Sequence, residues 1–177
     1  ARTSTGTGSS DRSKESQRPL RPRAGGCMSG RIRVKIPTSL RESCQRSGSG
    51  DWLATLPDVV GALCDRWRLV PGRPYPAQAS WVAPATTADG IDVVLKVGMP
   101  HPEAEDEIAG LRFWDGEPTV RVLAADAELQ AMVLERCEPG TPLARLPERE
   151  QEEVLADLLP RLWRPATTAD GFRPLST

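Results

Sequence analysis

Large apolar side chains between residues 36 and 70 recur every three or four positions, which is the spacing of one helix face. The stripe is clearest after residue 50, where it comprises Trp52, Leu56, Val59 or Val60, Leu63 and Trp67. Asp51 suits the N-cap of this helix and Pro71-Gly72 should end it. A shorter helix after Ile36 should end near Gly48. The pattern therefore predicts two helices, of which the second packs its stripe against a core.

Beyond this point the period of the pattern changes from that of a helix to that of a strand. Residues 77–84 and 91–97 predict two strands joined at Asp89-Gly90, a dipeptide typical of tight hairpin turns. Residues 119–124 and 129–136 predict two more strands. Together with flanking helices, these strands predict an α+β fold built on a small antiparallel sheet.

Two more helices are expected, one before and one after the second pair of strands. The first begins at His101-Pro102 and continues through Trp114. A linker rich in Pro and Gly, residues 137–143, leads to the second. This last helix is acidic and extends over about residues 147–163, and Pro160 should kink it or end it early.

The charge of the chain is divided unevenly along its length. Residues 1–35 hold nine Lys or Arg against two Asp or Glu, whereas the other residues hold 14 against 22. The first 35 residues are rich in Ser, Gly and Arg and have no apolar period, so we expect a disordered basic tail without function. A single domain should follow over residues 36–177. We expect no nucleic acid as a partner, because the basic tail is expected to have no function, and no membrane, since no apolar run approaches about 20 residues.

Candidate metal ligands are sparse in this sequence. The four cysteines are scattered without a Cys-x-x-Cys pair, and His101 is the one histidine. No metal site is therefore expected, and the cysteines are typical of incidental thiols in a reducing cytoplasm. The oligomeric state is left open.

Lys96 is the most informative residue. It ends an apolar run, and Glu107 follows eleven residues later in a predicted helix. In kinase-type folds a strand lysine meets the nucleotide phosphates, and a helix carboxylate fixes the position of that lysine. A lysine at the end of a strand is more commonly a solvated edge residue, so the spacing alone leaves both interpretations open.

The ordered elements resemble the N-terminal lobe of the aminoglycoside phosphotransferases, and more narrowly the streptomycin 6-kinase and hydroxyurea-resistance kinase family. The stretches that carry the resemblance are Ile36-Pro37 and residues 51–57, 94–97, 99–104, 111–116, 120–123, 133–136, 139–143 and 171–175. No one stretch is specific, but the ordered set spans nearly all of residues 36–177.

The resemblance implies a protein-kinase-like N-terminal lobe that contacts ATP. It matches Lys96 to the phosphate-binding lysine and Glu107 to its helix partner, with Glu103 as the alternative partner. Ser80, in the loop that would cover the phosphates, is implied to hydrogen-bond a phosphate oxygen, although this loop lacks glycines. Leu134–Cys137 match the hinge whose backbone would meet adenine.

The resemblance also implies what the chain lacks. Full-length relatives continue into a C-terminal lobe whose His-Gly-Asp loop supplies the catalytic aspartate and whose other residues hold Mg²⁺. No such loop occurs in this sequence, and Trp163 stands where relatives commonly have a histidine. Their acceptor is an alcohol group of a small-molecule antibiotic, which receives the γ-phosphate of ATP.

We therefore expect a truncated, cytoplasmic member of this antibiotic-resistance kinase family without its C-terminal lobe. Alone it should hold no catalytic residue and bind ATP weakly or not at all, and Mg²⁺ is expected only with the missing lobe. The alternative is a non-catalytic remnant or interaction module with the same N-lobe fold.

We predict that limited proteolysis removes residues 1–35 before any bond within residues 36–163 is cut. An unstructured segment presents its backbone to a protease directly, whereas a packed domain has to open first. Mass spectrometry of trypsin-treated protein over time gives the order of cleavage. An N-terminal segment that survives as long as the domain would contradict the disordered tail.

Overall fold

The computed structural model describes residues 33–101, 106–167 and 172. The helices found there are α1 (Thr38–Ser47), α2 (Gly50–Trp67), α3 (Glu107–Trp114) and α4 (Glu148–Leu162). The strands are β1 (Leu69–Pro71), β2 (Ser80–Thr87), β3 (Asp92–Gly98), β4 (Val122–Asp126) and β5 (Ala131–Glu135), and a short 3-10 helix, Leu143–Arg145, precedes α4. The predicted α+β class is confirmed.

The five strands form one antiparallel sheet in the order β1-β2-β3-β5-β4. β3 is therefore central, between β2 and β5. The predicted hairpin at Asp89-Gly90 joins β2 to β3, and Gly90 has a φ of +79°, which glycine adopts without a steric cost. The hydroxyl of Thr87 accepts a hydrogen bond from the backbone N–H of Ile91, which closes the loop.

One face of the sheet packs against α1 and α2 and forms the main core. The buried residues on this face are Trp81, Ala83, Ala85, Val93, Leu95, Val97, Ala131 and Val133. The predicted stripe of α2 meets them through Leu56, Val60, Leu63 and Trp67. Each large apolar side chain buried here contributes about 1.5–3 kcal/mol, so this layer supplies most of the stability. Trp81 also donates its indole N–H to the backbone carbonyl of Lys35 at 2.9 Å.

The opposite face of the sheet is covered in part by α3. Ile108 of α3 is buried with Met132 and Leu134 of β5, and Leu111 packs against the same cluster. Val94 of β3 also packs against the cluster and remains half-buried. α3 thus covers the β5 side of this face.

The junction of α2 and β1 differs from the predicted helix through residue 70. Arg68 adopts a left-handed conformation with φ of +55° and ends α2. Leu69–Pro71 then pair with Ala85–Thr87 as an edge strand, a position in which proline is tolerated. Three residues are too few for a strand period to be detected in the sequence.

Several predicted boundaries are also shifted. Ser49, not Asp51, occupies the N-cap position of α2, and Asp51 lies in the first turn, where the helix dipole still favours its charge. β2 begins at Ser80 rather than at residue 77, and β4 begins at Val122 rather than at residue 119. Pro160 lies inside α4, which ends two residues later.

Some predictions fall on residues that lie outside the described part of the chain. These are most of the predicted tail (residues 1–32), the start of the third predicted helix (102–105) and most of the stretch 171–175. In the part that the structure describes, no helix is long and apolar enough to cross a bilayer.

An ion pair joins the helical layer to the far edge of the sheet. Nη1 of Arg66 in α2 lies 2.5 Å from Oδ2 of Asp126 in β4, and the other oxygen of this carboxylate accepts the backbone N–H of Leu129 at 3.0 Å. Desolvation raises the pKa of Asp126, but the backbone hydrogen bond and Arg66 outweigh it, so the pKa is lowered overall.

We predict that Asp126→Asn lowers the free energy of unfolding at neutral pH by about 1–2 kcal/mol, because hydrogen bonds to an ionised carboxylate are lost. Since the folded-state pKa of Asp126 is lowered, this contribution is present above the unfolded-state pKa and disappears as pH falls through the folded-state value. Urea unfolding of both proteins across pH should therefore show a difference that shrinks below about pH 4.

A matched control for this prediction is Glu153→Gln. Glu153 pairs with Arg149 on the surface of α4, and both side chains are exposed. Removal of this pair should change the free energy of unfolding by less than about 0.5 kcal/mol. An effect of Asp126→Asn that stays constant from neutral to acidic pH would contradict the assigned role of the carboxylate.

Candidate functional site

Lys96 lies on the central strand of the sheet and not at an edge. Its strand, β3, buries three apolar residues on the α2 side: Val93, Leu95 and Val97. Because side chains alternate along a strand, Lys96 leaves from the opposite face. There it stands in register between Val82 of β2 and Met132 of β5. The interpretation of Lys96 as a solvated edge residue is therefore wrong.

Lys96 and Glu107 form an ion pair in which Nζ of Lys96 donates to Oε1 of Glu107. Glu107 is the first residue of α3, where unpaired backbone N–H groups favour a negative charge. The Lys96 side chain is 21% exposed and that of Glu107 is 33% exposed, so the pair is partly shielded and still accessible from solvent. The predicted pairing is confirmed, whereas Glu103, the alternative partner, lies outside the described residues.

Apolar side chains form a surface beside this ion pair. The cross-strand register gives two rows on the same face, Pro84–Val94–Leu134 and Val82–Lys96–Met132. Met132 and Leu134 are buried, and the other apolar members of the rows are half-buried. A fixed cation next to an apolar surface suits a ligand with one anionic and one flat, weakly polar part.

Ser80 lies on the same face, one row beyond Lys96. It begins β2, pairs with Gly98 and is 9% exposed. Val82 follows two positions later in β2, so Ser80 stands about 7 Å along the sheet from the row of Lys96. The structure thus places Ser80 at one end of the site, and its contact with a phosphate oxygen stays a prediction.

Gln130 is a residue of this region that the sequence does not reveal. It has a left-handed φ of +47°, and a Cβ added at Gly98 would lie 3.4 Å from the Cβ of Gln130. Its buried Oε1 accepts no hydrogen bond from the part of the chain that the structure describes. A non-glycine residue in this conformation inside a predicted strand leaves no pattern in the sequence. The polar end of the site therefore comprises Ser80, Gly98 and Gln130.

The predicted hinge, Leu134–Cys137, begins in the sheet and leaves it. Leu134 and Glu135 are the last residues of β5. Arg136 pairs with Asp92 at the start of β3, with 3.0 Å between Nη1 and Oδ2, and Cys137 is exposed. The chain therefore leaves the sheet one residue beyond the row formed by Pro84, Val94 and Leu134.

Among the residues that the structure describes, side chains that hold metals or act as nucleophiles do not gather at this site. Within residues 33–101, 106–167 and 172, no group of three or more His, Cys, Asp or Glu side chains could hold a metal ion. Cys44 and Cys64 lie in the core on the other side of the sheet. Burial raises the pKa of both thiols, that of Cys64 to about 12, so they stay protonated at neutral pH.

The fold and the ion pair together define a class of protein. A lysine on a central antiparallel strand, held by a carboxylate of the following helix beside an apolar surface, is the arrangement of the N-terminal lobe of kinase-like phosphotransferases. Residues 66–177, more than half of the chain, match the aminoglycoside/hydroxyurea antibiotic resistance kinase family. This chain belongs to that family.

Individual relatives agree with the family match. The chain is 39% identical over 140 residues to a streptomycin 6-kinase of Streptomyces griseus and 35% identical over 136 residues to a hydroxyurea phosphotransferase of Kitasatospora aureofaciens. These alignments cover 76% and 73% of this chain but only 46% and 40% of the relatives. The chain thus spans less than half the length of the curated relatives it matches. No solved structure gives a significant match.

Proposed function

We propose that this chain forms the ATP-binding lobe of an antibiotic-resistance kinase, with Lys96 on the α- and β-phosphates and Glu107 holding Lys96 in place. The observation that carries the proposal is the Lys96–Glu107 ion pair. A cation that is fixed on a rigid central strand loses little conformational entropy when it binds a phosphate. The partial exposure of both side chains leaves the ammonium accessible to an anion.

The rest of the sheet face fits the other parts of ATP. Pro84 and Val94, the half-buried members of their apolar row, offer a surface to adenine, whereas Leu134 is buried against Ile108. The hinge that follows Leu134 offers backbone groups to the edge of the base. Ser80 lies beyond Lys96 at the opposite end of the face, where its hydroxyl would meet a phosphate oxygen. The nucleotide would therefore lie along β3, with its base toward the start of that strand.

The described residues do not fit Mg²⁺. This ion prefers carboxylate oxygens in an octahedral arrangement, and the carboxylate of Glu107 is engaged by Lys96. No cluster of further ligands is gathered in the described part of the chain. Metal binding and proton transfer from the acceptor are therefore assigned to no residue described here.

The family gives the reaction that we propose for the whole protein. Its relatives are a streptomycin 6-kinase and a hydroxyurea phosphotransferase, so we infer transfer of the ATP γ-phosphate to a small-molecule antibiotic, at an alcohol group. The unpaired thiols of Cys44, Cys64 and Cys137 agree with a cytoplasmic location. A non-catalytic interaction module is the weaker candidate, because the ion pair retains the geometry that phosphate binding requires.

We predict that ATP slows the acylation of Lys96 and leaves that of Lys35 unchanged. The chain has three lysines, Lys14, Lys35 and Lys96, so an amine-acylating reagent followed by peptide mass spectrometry reports each one separately. Lys35 is exposed and serves as the internal reference. Bound phosphates would cover the ammonium of Lys96, while AMP, which lacks the β-phosphate, should protect it less. Equal acylation of Lys96 with and without saturating ATP would overturn the proposed site.

We further predict that the 177-residue chain alone shows no acceptor-dependent ADP release above background. A fusion of residues 33–177, which retains Lys35, to the remaining half of the Streptomyces griseus streptomycin 6-kinase should phosphorylate streptomycin. In that fusion Lys96→Ala should lower kcat/KM by about 10²–10³, the usual effect of removing one charge-stabilising group. Lys35→Ala is the matched control and should have no effect. If the unfused chain releases ADP at a rate proportional to the amount of this protein across purification steps, the chain contains a catalytic group.

A further inference from the structure

The C-terminal end of α3 is held by the end of α4 and by the residues that follow it. The indole N–H of Trp114 donates to the backbone carbonyl of Leu162 at 3.2 Å, and Nη1 of Arg164 donates to the backbone carbonyl of Phe113 at 2.7 Å. Phe113 and Trp114 are the last two residues of α3, where backbone carbonyls lack partners within the helix. Arg164 therefore acts as a side-chain cap for this end of the helix and places a positive charge where the helix dipole favours it.

Aromatic and ionic contacts strengthen the same junction. The guanidinium of Arg164 lies 4.6 Å from the centre of the Phe113 ring, within range of a cation–π interaction. The ring of Phe172 meets that of Phe113 edge-on, with 5.3 Å between centroids. Arg161 of α4 pairs with Glu117, just beyond α3. We call the set Arg161, Leu162, Arg164 and Phe172 the α3 brace.

α3 needs such external support because it is short. Its eight residues make about two turns, and an isolated helix of this length is unstable in water. Ile108 is its one buried residue. The position of the helix is therefore set by three attachments: the Lys96–Glu107 pair at its start, Ile108 and Leu111 against the β5 cluster, and the α3 brace at its end.

We propose that Arg164 and Trp114 are positioning residues for the Lys96–Glu107 pair. Together with the other residues of the α3 brace, they fix the position and rotation of the last turn of α3. Glu107 lies at the other end of the same two turns. When the brace contacts are lost, α3 should rotate or shift, and Glu107 should spend less time on Lys96. The consequence for ATP rests on the proposed function, whereas the effect on the pair does not.

Acylation of Lys96 in the absence of nucleotide tests this proposal directly. An amine that is held by a carboxylate reacts slowly, so the rate at Lys96 relative to Lys35 measures how often the pair is formed. Glu107→Gln sets the rate for a broken pair. Arg164→Met and Trp114→Phe each remove one brace hydrogen bond and keep much of the apolar volume.

We expect each brace variant to raise the acylation rate of Lys96, relative to that of Lys35, by about two- to fivefold, toward the rate in Glu107→Gln. Formation of a partly exposed ion pair changes the equilibrium between paired and unpaired lysine by a factor of about this size. Arg164→Lys, which retains a charged donor near Phe113, should recover part of the effect. Arg149→Met is the matched control: it removes an ion pair from the exposed surface of α4, and Arg149 pairs with Glu153 rather than with α3.

Two outcomes would overturn the proposal. In the first, Lys96 is acylated at the same relative rate in Arg164→Met and Trp114→Phe as in Arg149→Met, although it is acylated faster in Glu107→Gln. The other is an increase that occurs at Lys96 and Lys35 alike with a lowered melting temperature, which indicates general destabilisation. If the brace variants behave as expected but ATP does not protect Lys96 from acylation, the proposed ATP site is wrong. The positioning role of Arg164 and Trp114 is then still supported.

Discussion

The alternation of side chains along β3 is the constraint on which the rest of the structure depends. Val93, Leu95 and Val97 enter the core, and the residue between the last two, Lys96, is thereby directed to the opposite face. A slip of one residue in the strand register would bury the ammonium among apolar side chains and expose the three apolar residues. Burial of an unpaired charge costs far more than any single contact returns. The same register therefore fixes both the core and the site.

The Lys96–Glu107 pair adds little to the stability of this fold. Both side chains keep part of their exposure, and such pairs contribute about 0.2–1 kcal/mol, less than one large apolar side chain buried in the core. The main core lies between α1, α2 and the other face of the sheet, and neither charge belongs to it. Rearrangement of the pair would consequently leave the main core of the domain in place.

The parts of this fold that the sequence predicts are those encoded by local patterns. The α2 stripe, the Asp89-Gly90 hairpin and the ion pair of Lys96 with Glu107 each depend on residues close together in the chain, and all three are confirmed. The parts that escaped prediction depend on distant partners. β1 exists because Leu69–Pro71 find the edge of β2, and the bond between Arg164 and Phe113 spans 51 positions. The periodicity of apolar residues along the sequence does not predict contacts between residues so far apart.

The C-terminal end of α4 contacts α3, whereas the apolar side chains along α4 are exposed. In the part of the chain that the structure describes, α4 buries none of its residues, and four large apolar side chains along or just beyond it are exposed: Val154, Leu155, Leu159 and Trp163. Polar and aromatic contacts near its C-terminal end are what connect it to α3. Leu162 and Arg164 are therefore the residues through which this end of the chain contacts the last turn of α3. Because α3 has eight residues, Glu107 lies only about two turns from these contacts.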